Sequence, residues 1–291
     1  MDFRGFFCNL LLQSMHMIRW LIKISRPRFW VYITGPFLIG VVAASPVQSW
    51  PLIILLGVYF TFPANLLIYG INDIFDYETD KHNPKKIAYE TLVRPKEQKQ
   101  LWRWIAITNA PFLLLLPLLG NNGRWAIAGF LFFGVFYSMP PIRAKVRPLL
   151  DSVFNVLYIF PGIVGYAVVS KTLPSLYLCL AAAFWCMAMH AYSAVPDIEA
   201  DRKATIDTIA TKLGKTGTLL FCLACYGLAA GLTISVLGQF SIAAGILYAF
   251  MMIVTLRAKN AHSVMKLYSL FPYINMGVGM ALFLWILFVL K

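Results

Sequence analysis

Charge is what this sequence has least of. Asp, Glu, Lys and Arg make up 13% of its 291 residues, against about a quarter in an ordinary soluble domain, and only 12 residues are acidic. A soluble globular domain of usual composition is thereby excluded. Cysteine is sparse as well. Cys8, Cys179, Cys186, Cys222 and Cys225 are odd in number and lie in apolar runs, which argues against a disulfide framework. The Cys222-x-x-Cys225 spacing has no second pair and no neighbouring histidine, so it reads as helix packing rather than as a metal or redox motif. Residues 1–24 lack the small-residue cleavage pattern of a removable leader.

What is abundant is hydrocarbon. Hydrophobic residues are 60% of the chain and its mean hydropathy is +0.72. Apolar segments recur at about 17 to 25 residues, the length a helix needs to cross a core roughly 30 Å thick. Helices are expected because a helix satisfies its own backbone in lipid. Nine spans are predicted, at 28–45, 50–72, 100–119, 123–140, 150–170, 174–197, 217–236, 240–256 and 269–290. The predicted fold is an all-α integral membrane protein, two pseudo-repeated four-helix units plus a ninth helix around a central cavity. Residues 1–24 mix apolar positions with Arg4, Arg19 and Lys23, which predicts an interfacial amphipathic helix ahead of a single transmembrane domain at 25–291.

Basic residues then orient the bundle. If the N-terminus and the loops after spans two, four, six and eight share one side, that side holds 22 of the 25 Lys and Arg residues, leaving Arg124, Lys171 and Lys291 opposite. The positive-inside rule makes the rich side cytoplasmic and puts the C-terminus on the other side. Topogenic placement accounts for most of the net charge of +13, so the basic balance is no sign of nucleic-acid binding. All 12 acidic residues fall on the cytoplasmic side too, although acids follow no such rule.

Six of those acids form two clusters with one pattern. DYETDK at 76–81 and DIEADR at 197–202 are both Asp-x-Glu-x-Asp followed by a cation, each at the cytoplasmic end of an even-numbered span. If the helices continue through the motifs, Asn72, Asp76 and Asp80 share one face, as do Asp197 and Asp201, while Glu78 and Glu199 point elsewhere. Adjacent carboxylates repel unless a cation sits among them. A solvated helix end explains one such cluster but not two of the same pattern in a chain so poor in acids. Facing each other, the clusters predict a Mg²⁺ site of two or more ions bridged by diphosphate, since carboxylate, amide and water oxygens suit that ion. Arg94, Arg143, Lys145, Arg202 and Lys203 fall on the same side and are candidate diphosphate ligands, although topology alone also accounts for each.

A metal-held diphosphate beside an apolar interior implies a prenyl diphosphate, whose allylic C–O bond would break to leave a carbocation. Aromatic rings near the clusters, among them Phe75, Tyr137, Tyr158, Phe160 and Tyr192, could face that cation, although interfacial belts also enrich aromatics. His190, one or two turns before the second cluster, is a candidate for removing a proton after coupling, with helix packing the alternative role.

These residues resemble the UbiA superfamily of intramembrane prenyltransferases. Asn72-Asp73-Ile-Phe-Asp76-Tyr-Glu-Thr-Asp80 matches its first motif, NDxxDxxxD, and Asp197-Ile-Glu-Ala-Asp201 its second, DxxxD; RPRFW near the start and YSMPP at 137–141 also fit. The resemblance implies Mg²⁺-dependent transfer of an isoprenyl group from its diphosphate, with the aspartates holding metal and Asn72 and nearby bases assisting the diphosphate. Asp73 and Tyr137 belong to the matched stretches. The chain departs from the family at Thr205, where glycine is frequent, and at Pro141, where a lysine four residues after the tyrosine is expected. DYETDKHNPKK and MHAYSAVPDIEADRKATIDTIATKLG are most similar to the lycopene elongase branch, which transfers dimethylallyl units to lycopene on the way to C50 carotenoids. A quinone precursor or another lipid is the alternative acceptor. CDP-alcohol phosphotransferases need Asp-Gly and Ala-Arg between their acids, which neither cluster has, and a cation-coupled transporter needs ionisable residues near the bilayer midplane.

Overall fold

The structure, a computed structural model, describes residues 3–81 and 91–290, with the side chains of 3–13, 79 and 80 left undescribed, and all regular structure among the described residues is helical. Helix α1 is Phe3–Ile24, α2 Val31–Ala44, α3 Trp50–Thr61, α4 Pro63–Phe75 and α5 Tyr77–Asp80. They are followed by α6 Pro95–Asn109, α7 Gly120–Ser138, α8 Leu150–Val153, α9 Phe160–Ser170 and α10 Leu176–Ala194. The chain ends in α11 Ile198–Lys203, α12 Ile209–Leu237, α13 Gln239–Arg257 and α14 Ala261–Phe288.

Eight helical stretches are long and apolar enough to cross a membrane, and one of them, Pro95–Ser138, is 44 residues long. That stretch reverses at Gly120, whose φ of 65° suits a residue without a Cβ. Both its ends meet the same end of α4: Gln98 Nε2 donates to Ile74 O at 3.2 Å, and Asn72 Nδ2 donates to Ser138 Oγ at 3.1 Å. Its middle reaches the opposite end, where Asn109 Nδ2 donates to Pro63 O at 3.1 Å. The described residues therefore make nine crossings, as the hydropathy pattern predicts.

The third predicted span is not a continuous α-helix but passes into a 3₁₀ segment at Ala110–Leu119, and the second and fifth are broken. Pro63 opens α4 and lacks the N–H that would carry α3 onward, and the carbonyls near the break are satisfied by Asn65, whose Nδ2 donates to Phe60 O at 2.8 Å and Thr61 O at 2.9 Å. In the fifth span a 3₁₀ segment, Phe154–Ile159, separates α8 from α9, which begins around Pro161. No charged residue adjoins Pro63 or Pro161 in sequence, although Asp151 lies in α8 just before the second break.

Apolar packing gathers α2, α3, α4, α7 and α9 around Phe37, Phe60 and Phe130, and α10, α12, α13 and α14 around Tyr192, Leu219 and Tyr248. The division falls after α9 and not between the fourth and fifth spans, so the packing boundary does not coincide with the repeat read from the acidic motifs. Its cause is the closeness of α2 and α9. A Cβ at Gly40 would stand 2.0 Å from Gly162 O, an approach only glycine permits. The bundle closes where Asn275 of α14 accepts from Tyr248 Oη of α13 at 2.9 Å and donates to Tyr32 Oη of α2 at 3.2 Å. The end of α1 packs Leu21 and Ile24 on Leu66, Ile71 and Ile74 of α4.

Candidate active site

Neither acidic motif lies on one unbroken helix. Helix α4 stops at Phe75, and Asp76 caps it with φ −105° and ψ 3°, its N–H donating to Asn72 O at 3.0 Å. The second motif follows a 3₁₀ turn, Val195–Asp197, because Pro196 has no N–H to return to Tyr192, and Asp197 has φ −96° and ψ 0°. The expected continuous faces, Asn72 with Asp76 and Asp80 and Asp197 with Asp201, are accordingly re-aimed by these bends. The Asp80 side chain lies outside the described residues, as do Lys85 and Lys86. Glu78 turns outward to Lys81.

Around the first motif, cations converge from two segments distant in sequence. Arg26 has φ 52°, and its Nη2 donates to Asp73 Oδ1 at 2.7 Å and to Asn72 Oδ1 at 3.4 Å while its guanidinium sits 4.7 Å above the Tyr69 ring. The loop after α7 supplies the other pair. Lys145 Nζ contacts Asp76 Oδ2, and Arg143 Nη2 lies 3.9 Å from Asp76 Oδ1 and donates to Phe75 O at 3.4 Å. Asp76 is 2% exposed. Pro141 stands where the family pattern has lysine, and it is Lys145 that reaches the aspartate.

The second motif bears on this group through Asp201. Burial, reinforced by the Arg26 charge, pulls the Lys145 ammonium down to about 7, while the Asp73 and Asp201 carboxylates pull it up. The Asp201 carboxylate thus bears on the charge of the cation that touches Asp76. Asp197 and Asp201 are half-buried. Of the other basic candidates, Arg94 opens α6 with its N–H donating to Glu97 Oε2 at 2.8 Å, Arg202 Nη2 donates to Thr211 O at 3.2 Å, and Lys203 is exposed.

Directly inside the motifs lies a cavity of about 270 Å³. Arg26 and Asn72 line it at the first motif, Ser193 and His190 near the second, and its walls include Phe29, Tyr32, Tyr69, Tyr158, Tyr268 and Phe271. Tyr137 lines it too, its ring edge-on to His190 with centroids 6.0 Å apart. Tyr158 packs against both apolar cores and so joins them at the cavity. Tyr192 is fully buried on the other side of α10, its hydroxyl 3.0 Å from Thr255 Oγ1. Phe75 packs edge-on against Trp102 and Phe160 stacks on Phe133.

Of the candidate metal and diphosphate ligands among the described residues, only Asn72 lines the cavity; the motif carboxylates and the Asn72 amide are hard oxygen donors, the set that suits Mg²⁺. Among the described residues, which leave out the Asp80 side chain, no three His, Cys, Asp or Glu side chains are gathered so as to hold a metal ion.

Carboxylates, cations and an aromatic cavity thus meet among helices long and apolar enough to cross a membrane. The chain belongs to the UbiA prenyltransferase family, whose model its residues 33–289 match. It is a prenyltransferase and a multi-pass membrane protein. It is 41% identical over 217 residues to a lycopene elongase/hydratase of Haloarcula japonica, covering 74% of this chain and 74% of the relative. A lycopene elongase/hydratase of Haloferax volcanii is 39% identical over 270 residues, 90% of this chain and 86% of the relative. Among solved structures, a UbiA homolog from Archaeoglobus fulgidus bound to GPP and Mg²⁺ shares the fold with a TM-score of 0.71 at 19% identity, covering 90% of this chain and 99% of that one.

Arg26, Tyr32, Tyr69 and Tyr268 escaped the reading of the sequence as site residues. Arg26 lies within the RPRFW stretch that carries the family resemblance.

Proposed function

We propose that this chain moves a dimethylallyl group from its diphosphate to the terminal alkene of lycopene. The observation that carries the reading is the juxtaposition of Asn72 and Arg26, at the first motif, with Tyr32, Tyr69 and Tyr158 on the wall of one cavity. A polar end for the diphosphate thus adjoins an aromatic end for the isoprenyl unit. The names of the relatives at 39% and 41% identity support lycopene as the acceptor.

In this reading Asp76, Asp80, Asp197 and Asp201 would hold Mg²⁺, and Lys145 and Arg143, which pair with Asp76, would serve the diphosphate oxygens of the donor. Bound Mg²⁺ supplies neutralisation of the charge that grows on the diphosphate as the allylic C–O bond breaks. The rings of the cavity offer π faces to the allylic cation, an available face contributing about 0.5 to 2 kcal/mol. A terminal alkene needs no deprotonation before attack, so no base is required on the acceptor side before coupling. The charge asymmetry of the loops supports placing this mouth on the cytoplasmic side.

The test is expression in a bacterium that makes lycopene and lacks an elongase, with mass spectrometry of the pigments. Gain of one or two C5 units, lost with Asp76→Asn, supports the reading. Unchanged lycopene with folded protein removes lycopene as the acceptor and directs the assay to quinone precursors and other lipids.

A further inference from the structure

One acid lies outside both motifs and is nonetheless fully buried. Asp151 is 0% exposed; its Oδ1 accepts the Ser152 N–H at 2.9 Å and its Oδ2 the Ile209 N–H at 2.8 Å. These two backbone donors fix the carboxylate between α8 and α12. The same Oδ2 lies 3.6 Å from His190 Nε2, slightly beyond hydrogen-bond length and within reach of a small ring rotation. Nε2 is buried without a hydrogen-bond partner among the described residues. With Nε2 turned to Asp151, the other ring nitrogen is left for the cavity that His190 lines.

We infer that His190 is a base for hydration: it accepts the proton of a water that adds to the acceptor carbocation, and Asp151 positions it. The inference rests on the lycopene reading above, since it concerns the cation left after coupling. The allylic C–O bond of the donor breaks and its electron pair departs on the diphosphate. The π pair of the acceptor alkene forms the new C–C bond and leaves a carbocation on the neighbouring carbon. A lone pair of a water oxygen closes that centre as a C–O bond, the O–H pair stays on oxygen, and the proton passes to Nδ1 of His190. The product is an elongated alcohol.

Polarity on the cavity wall favours water as the proton source. A bound water needs two to four polar partners. His190, Tyr137, Asn155 and Ser193 supply them together, whereas lining residues such as Ile68, Leu157 and Phe271 are apolar. Asn155 is itself tied to this group, its Nδ2 donating to Asp151 O at 2.6 Å. Asp151 on Nε2 selects the tautomer whose Nδ1 is free to take a proton, and it stabilises the imidazolium that results. A carboxylate that merely joins α8 to α12 has no need of a histidine beside it. The names of the relatives pair elongation with hydration, which is the outcome this wall accounts for.

The experiment compares wild type, His190→Gln and Asp151→Asn in the lycopene-producing host, quantifying elongated alcohol against elongated alkene at matched levels of folded protein. Wild type yields the alcohol. The ratio of alcohol to alkene falls about tenfold or more with His190→Gln and moves in the same direction with Asp151→Asn. A purely structural role lowers total yield without moving the ratio, and that result, like an alcohol fraction that rises, overturns the inference. Wild-type elongation with no alcohol overturns it while leaving the lycopene reading intact, and no elongation by wild type sinks both. Should Asp151→Asn fail to accumulate, His190→Gln, whose side chain lines the cavity, decides alone.

Discussion

Arg26 and Asp73, 47 residues apart in sequence, are joined at 2.7 Å with side chains only 14% and 3% exposed. The pair fixes the segment before α2 to the last turn of α4, and it stations the guanidinium over Tyr69 at the cavity wall. Removing one partner of a buried pair strands the other, at a cost of about 3 to 5 kcal/mol. Arg26→Ala is therefore expected to lower the melting temperature in detergent sharply, and adding Asp73→Asn to it should recover part of the loss. A double variant no more stable than Arg26→Ala would remove the ion pair as the cause.

Asp76→Asn and Asp197→Asn each keep shape and remove one negative charge from an acidic motif. If the aspartates hold the ions that stabilise the departing diphosphate, each change reduces transfer about 100-fold or more. Asp207→Asn serves as the comparison, because Asp207 is exposed and its partner is the surface residue Lys212 at 3.1 Å. Its turnover should stay close to wild type, surface pairs contributing about 0 to 1 kcal/mol. Assays of all three in one lipid preparation separate the motif residues from acidity in general.

The acidic motifs were legible because their signal is local: two copies of one spacing stand out in a chain with few acids. The spans were legible for a similar reason, since hydropathy is summed over a window. What the sequence hid depends on distant neighbours. Arg26 reads as one more topogenic cation until packing brings it to Asp73, and Asp151 reads as a helix-start acid until α12 brings Ile209 to its carboxylate. The bend at Asp76 was also invisible, because the motif contains no proline, whereas Pro196 announces the bend before Asp197.

Close packing of α2 on α9 rests on the missing side chain of Gly40. Its Cβ would press on the backbone carbonyl of Gly162, which cannot swing aside as a flexible side chain can. Gly40→Ala is expected to cost about 1 to 3 kcal/mol, more for Gly40→Leu, by forcing the two helices apart. A melting curve indistinguishable from wild type would mean that the helices separate without penalty.

Thr205 follows the second motif at the position where the family often has glycine, and its φ is 54°. A β-branched residue in the left-handed region is strained, and glycine is not. Thr205→Gly is expected to leave transfer intact and to raise stability by up to about 1 kcal/mol, the relief of strain outweighing the added freedom of the unfolded chain. Thr205→Val keeps the strain and discards the hydroxyl that donates to Ala204 O at 2.7 Å, so it should be no more stable than wild type. A Tm for Thr205→Gly below that of Thr205→Val would show that this turn does not hold the left-handed conformation in solution.

Tyr158 and Tyr69 both line the cavity, with hydroxyls 3.3 Å apart, yet their faces are not equally available. The Tyr69 ring already carries the Arg26 guanidinium at 4.7 Å, so its electron density is engaged by a cation that belongs to the protein. Of these two rings, Tyr158 is the one left to meet the proposed allylic cation. A cation–π contact of about 0.5 to 2 kcal/mol corresponds to a rate factor of roughly 2 to 30. Tyr158→Leu should lower kcat by that factor, while Tyr158→Phe, which keeps the ring, should stay near wild type. Tyr69→Leu should act differently, lowering the melting temperature by loosening Arg26 from its stacked position. Single-turnover rates with saturating donor, set beside melting curves for the same variants, separate the two roles, and equal rate losses for Tyr158→Leu and Tyr158→Phe would assign the effect to the hydroxyl instead of the ring.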